Sequence, residues 1–165
     1  MVSTLMRTDG RGDAEAWVDA APFRAHLRHL MAVSGLPFPC VALLAGISPG
    51  FAHRLLHGRR GRPLRRISPD TARKLLRVTA AEARAVPGRT VPAHATTLHL
   101  RRLVDLGWSL AGLADVLGMP LVDVAALAAG TAPTCTQLVA LRAAAEVSLV
   151  QTPLRTDDGW VSDAA

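Results

Sequence analysis

The chain has 165 residues, half of them apolar, with 19 basic and 13 acidic side chains for a net charge of +6. That length holds one ordinary domain or two very small ones with a buried core, and so apolar a composition excludes a disordered polyelectrolyte. Cys40 and Cys135 lie far apart among apolar neighbours, which excludes a disulfide framework or a cysteine zinc site and makes both small core side chains.

Charge is unevenly distributed. Residues 1 to 20 carry 2 basic and 4 acidic side chains (−2), residues 21 to 90 carry 13 and 2 (+11), and residues 91 to 165 carry 4 and 7 (−3). A positive excess of that size on a short segment points to a polyanionic partner, nucleic acid before anionic membrane. Arginine outnumbers lysine 18 to 1, and the planar guanidinium is the better bidentate ligand for phosphates and guanine edges. Two uncharged windows, residues 30 to 52 and 124 to 141, are broken by proline and glycine and read as short buried helices rather than membrane spans. The first residues lack the order of a secretion signal, so the expected location is the cytoplasm, at the nucleoid.

In chain order, residues 1 to 18 are polar and without period and are expected to be a disordered arm. A helix then starts near Asp19 or Ala20 with Pro22 in its first turn. Phe23, Leu27, Leu30 and Met31 share one face, Arg24 and Arg28 lie on another, and Gly35 forms the C-terminal cap. A short helix around Val41 to Ala45 ends at Gly46, and Ser48 and Pro49 start the next, which runs to His57 and stops at Gly58. An arginine run follows, and Ser68, Pro69 and Asp70 open a further helix that buries Ala72, Leu75, Leu76 and Val78. The spacing of Thr79 and Glu82 predicts a capping box and a short helix, and residues 87 to 92 read as a linker.

The second half repeats the first. His26, Leu27, Arg28 and Leu30 match His99, Leu100, Arg101 and Leu103. After a gap, Gly35, Ala42, Gly46, Leu55 and Gly58 fall on Gly107, Ala114, Gly118, Leu127 and Gly130. The arginine run is missing from this copy, where a capping box at Thr134 to Gln137 is expected to start a last helix ending near Val150. Residues 151 to 165 read as a disordered tail, with Trp160 able to dock.

Residues 38 to 57 resemble the helix-turn-helix of the lambda-repressor-like DNA-binding family. Ala42 is small where the helices cross, Gly46 sits at the turn, and Val41, Ala45, Ile47, Ala52 and Leu55 are apolar. The longer stretch from Arg24 to Val78 is similar to helix-turn-helix proteins of actinobacteria and their phages, which carry a similar glycine-and-arginine arm. The resemblance implies an all-α chain of two tandem small helix-turn-helix domains, residues 19 to 86 and 93 to 150, joined by the short linker. It also implies that the helix from residue 48 to 57 enters the major groove of double-stranded DNA. By position the reading residues would be Ser48, Pro49, Gly50, His53, Arg54 and His57, with Arg54 the candidate for a bidentate guanine contact. Arg59, Arg60, Arg62, Arg65 and Arg66 would serve phosphates or the minor groove.

The same positions in the second copy are Pro120, Leu121, Val122, Ala125, Ala126 and Ala129, which lack hydrogen-bonding side chains, and Asp123 would repel phosphate. Leu121, Val122, Ala125, Ala126 and Ala129 are therefore expected to form a partner interface, for a homodimer or another protein, unless the last helix or the tail covers them. His53 and His57 have zinc-compatible spacing but no further ligand nearby, so no metal or cofactor is expected. No nucleophile and base, phosphate loop or carboxylate pair suggests an enzyme. The expected function is a sequence-specific transcriptional regulator. The alternatives are a nucleoid-associated architectural protein and a protein-interaction module, such as an antitoxin or a factor binding the transcription machinery.

Overall fold

Local chemistry sets where the helices start and stop in the computed structural model, which describes residues 17 to 151. Helix α1 (Ala21–Ser34) takes Pro22 into its first turn, and Gly35 ends it in the left-handed conformation with its N–H on the Met31 carbonyl. Helix α2 (Phe38–Leu44) leads through a turn at Gly46 to α3 (Pro49–His57). The Ser48 hydroxyl caps α3, accepting from the Phe51 N–H at 3.2 Å. Helix α4 (Pro69–Arg77) repeats this start, with Ser68 accepting from the Thr71 N–H at 3.3 Å. Lys74 donates to Asp70 at 2.8 Å and holds that carboxyl below its usual range. The capping box of α5 (Ala80–Ala85) forms as predicted: Glu82 accepts from the Thr79 N–H at 2.8 Å, which lowers the Glu82 pKa.

The second half supplies α6 (His94–Asp105), α7 (Leu110–Leu117), α8 (Leu121–Ala129) and α9 (Gln137–Gln151). The chain is mostly helical, so the all-α class stands. Among the described residues there are also four short strands: β1 (Val18–Asp19), β2 (Arg66–Ile67), β3 (Thr90–Pro92) and β4 (Thr134–Thr136).

These strands close each half into a loop. β1 pairs antiparallel with β2, Val18 opposite Ile67, and β3 pairs antiparallel with β4, Val91 opposite Cys135. The Ala20 N–H reaches the Arg65 carbonyl in the first half, and Ala93 reaches that of Pro133 in the second. Each half thus runs strand, three helices, strand, helix. The pairs matched in the sequence, Leu27 with Leu100, Leu30 with Leu103 and Leu55 with Leu127, are all buried in these two frames. Burying one such leucine is worth about 1.5–3 kcal/mol.

Several expectations are corrected here. Residues 87 to 92 are not a bare linker: Val86–Gly88 is a single 3-10 turn, and β3 follows, bonded to β4. The last helix is capped by Thr136, not Thr134: it starts at Gln137, and the hydroxyl of the residue just before it accepts from the Val139 N–H at 3.3 Å. Leu76 is 60% exposed, whereas Ala72, Leu75 and Val78 are buried as expected, since Leu76 faces away from α1. Val18 and Gln151 belong to β1 and α9, and the remainder of the expected arm and tail, residues 1 to 16 and 152 to 165 with Trp160, lies outside the described residues.

Two hydrophobic clusters result, one per half, and α9 serves both. Its Leu138 and Leu141 pack against the first cluster, while Val139, Ala143 and Val147 belong to the second. Arg142, between those faces, donates to the Leu117 carbonyl at the end of α7 at 2.6 Å. Against α2, α9 also encloses Cys40, and burial pushes that thiol up to about 11.

Candidate nucleic-acid interface

Helix α3 is amphipathic, with Ala52, Leu55 and Leu56 turned into the first core and Gly50, His53, Arg54 and His57 exposed. The exposed side chains are organised. The rings of Phe38 and His53 lie 5.9 Å apart and those of His53 and His57 4.7 Å apart, and the Arg54 guanidinium sits 5.9 Å above the Phe51 ring. Such contacts limit the rotamers Arg54 samples, so less side-chain entropy is lost on meeting a partner. Ser48 is exposed but its oxygen is committed to the helix cap. Pro49 is buried, which corrects its place among the outward residues: its ring packs inward in the first turn. Among the described residues no group of three or more potential metal ligands comes together, so His53 and His57 remain a pair.

The arginine run has a definite structure. Arg59 and Arg62 pair as an isolated bridge, with Arg59 N–H donating to the Arg62 carbonyl at 2.9 Å and Arg62 N–H returning to Arg59 at 3.0 Å. Arg60 (φ 49°) and Gly61 (φ 76°) occupy the two central positions, both left-handed. This is the two-residue hairpin turn whose twist matches paired strands, normally built from asparagine and glycine. Arginine at a left-handed position costs on the order of 1–2 kcal/mol. Gly58 makes the hairpin possible: at φ 78°, a Cβ there would collide with the Arg62 carbonyl.

Both ends of this arm are held. Arg24, half-buried on α1, donates from Nε to the Leu55 carbonyl at 2.7 Å and from Nη2 to the Leu64 carbonyl at 2.6 Å. One guanidinium therefore ties the end of α3 to the exit of the hairpin. Arg28 adds a bond to the Leu56 carbonyl at 3.3 Å. Positive charge beside the free carbonyls of a helix C-terminus is favourable. Beyond the hairpin, Arg65 and Arg66 are exposed, and their backbone belongs to the clasp with Ala20 and Asp19. The sequence reading placed Arg24 and Arg28 only on an outer face. The signal for their role was the match of Arg28 to Arg101, which repeats the clamp by donating to the Ala128 and Ala129 carbonyls, both at 2.9 Å.

In the second half, α8 presents Leu121, Val122 and Ala129 to solvent, Val122 at 72% exposure, with Ala125 and Ala126 half-buried. Helix α8 packs chiefly on α6 and α7, and α9 leaves its outer face uncovered. Gly130 leads through Thr131, Ala132 and Pro133 directly into β4, so no hairpin follows. No protein-family profile, curated protein or solved structure matches the chain.

Proposed function

We propose that the protein is a sequence-specific regulator that binds double-stranded DNA through one reading head in the first half. In this reading α2 and α3 form a helix-turn-helix, α3 lies in the major groove, and Arg54 pairs with a guanine edge while His53 and His57 contact neighbouring bases. Arg59, Arg62, Arg65 and Arg66 meet phosphates. The observation that carries the proposal is the continuity of the exposed Arg54 face with an arginine hairpin held to the same helix by Arg24. A solvated loop has no need of such a clamp, and packing like charges together costs self-repulsion unless an anion is bound.

The second half keeps the frame and lacks the polar reading face. We assign its α8 face, Leu121, Val122, Ala125, Ala126 and Ala129, to contact with a second copy, which would present two reading heads to one site. Selection of bound duplexes from a random pool tests the whole reading. A regulator yields an enriched motif bound about 10³-fold or more above random duplex, and Arg54→Ala relaxes one position of it. An architectural protein yields no motif. Sedimentation of the wild type and Val122→Glu tests the dimer, which predicts a lower apparent mass for the variant.

A further inference from the structure

We infer that Arg60, at the hairpin apex, enters the minor groove beside the α3 site and makes the protein prefer A·T pairs there, by groove width rather than base identity. The inference rests on the DNA-binding reading above and assigns that surface a second, separate element of specificity.

The geometry supports it first. Helix α3 has 9 residues, a length of about 13.5 Å, and the hairpin begins immediately after it at Gly58. With α3 in a major groove about 12 Å wide, the hairpin overhangs the phosphate strand that separates it from the minor groove. That groove is about 6 Å wide, too narrow for a helix but wide enough for one guanidinium. The apex carries one side chain, because Gly61 is its other central residue, and Arg59 and Arg62 flank it at the bridge.

The backbone supports it independently. Arg60 is exposed and holds a left-handed conformation that glycine or asparagine would adopt with less strain. Backbone positions held in such sparsely populated conformations cluster at functional sites. The arm is also ordered in advance: Gly58 folds it back, the bridge closes it, and the Arg24 bond to Leu64 fixes its exit, so little ordering remains at binding. Chemistry decides between the grooves. Guanidinium is weakly hydrated and enters narrow A·T-rich grooves, where negative potential is concentrated, and the guanine 2-amino group obstructs it.

The test uses the full chain and three versions of one duplex, the sequence most enriched by the wild type, with its flank made of A·T, G·C or inosine·C pairs. Inosine·C keeps the major-groove face of G·C and lacks the minor-groove amino group. The wild type should bind the A·T and inosine·C flanks alike and the G·C flank about five- to tenfold more weakly. Arg60→Gly suits the left-handed turn and should remove this discrimination while retaining the α3 motif, with a thermal midpoint no lower than that of the wild type. Arg60→Lys keeps the charge and should retain most of the affinity but lose the flank preference. Equal binding to all three flanks by the wild type, or discrimination unchanged in Arg60→Gly, overturns the inference. Flank preference without any enriched central motif, abolished by Arg60→Gly, sustains the hairpin role and overturns reading by α3. No DNA binding at micromolar protein overturns both.

Discussion

The two halves share one frame and differ in what they mount on it. In both, a strand clasp closes three helices, buried leucines occupy matching places, and an arginine from the first helix holds the carbonyls that end the third. In the first half the third helix presents Arg54, His53 and His57 and runs into an arginine hairpin; in the second it presents Leu121 and Val122 and runs straight into β4. Two halves built on one frame can therefore share interior constraints while their surface chemistry differs. Interior positions are fixed by packing, and exposed positions are fixed only by partners.

The largest effect concerns how far the halves are independent. Because α9 packs on both cores, Leu27→Ala and Leu100→Ala should each cost about 2–5 kcal/mol, and both should shift a single unfolding transition. Calorimetry resolving two transitions, with each variant moving only one, would show that α9 does not couple them. Next comes the asymmetry at the matched glycines. Both have positive φ, but a methyl at Gly58 meets backbone, whereas one at Gly130 meets the end of the Arg101 side chain at 3.2 Å. Gly130→Ala should cost about 1–2 kcal/mol. Gly58→Ala should cost more, and it should also weaken DNA binding, which denaturant titrations and binding isotherms of the two variants would compare directly.

At the proposed reading face, Arg54→Ala should lose about 1–3 kcal/mol of DNA affinity with relaxed specificity, while Arg62→Ala should lower the salt slope by about 1 without changing the motif. Val122→Glu, at the position corresponding to Gly50, should leave affinity per reading head within about twofold. Filter binding across a salt series measures all three, and an Arg54→Ala variant indistinguishable from wild type would favour a protein-interaction module. The smallest effect is the acid sensitivity that His99 contributes. His26 donates from Nε2 to the Leu75 and Val78 carbonyls, both at 3.2 Å, whereas burial of its counterpart His99, whose Nδ1 has no partner, lowers the pKa of that ring. A lowered folded-state pKa means the unfolded chain binds the proton more readily. The His99 contribution to stability is therefore present above the ordinary histidine value of about 6.5 and declines as pH falls below it. His99→Gln should flatten that decline below about pH 6.5, read from denaturation midpoints.

Much of this was legible in the residues. Serine and proline pairs, the Thr79 box and the terminal glycines act within a few residues of themselves, so the limits of α1 and of α3 through α5 followed from local chemistry. The repeat was legible because the same buried positions recur. The linker reading failed because β3 gains its hydrogen bonds from β4, far along the chain, and a short polar strand has no periodicity of its own. Leu76 was misplaced because Leu75 and Leu76 are adjacent, and only the direction of α1 decides which one is covered. Pro49 was counted outward for a similar reason, since a residue in a first helical turn can face either way.

The sequence by itself determined the helical class, the correspondence of buried positions between the two halves, the concentration of positive charge between residues 21 and 90, and the helix whose outward face carries His53, Arg54 and His57. Only the tertiary structure decided that the arginine run is a hairpin, that Arg24 fixes it to α3, and that α9 joins the two cores. The apolar residues of α9 surround it without forming a single stripe, which is what a helix buried on two sides requires. Those outcomes depend on backbone carbonyls and packed faces distant in sequence, and their geometry exists only once the chain has folded.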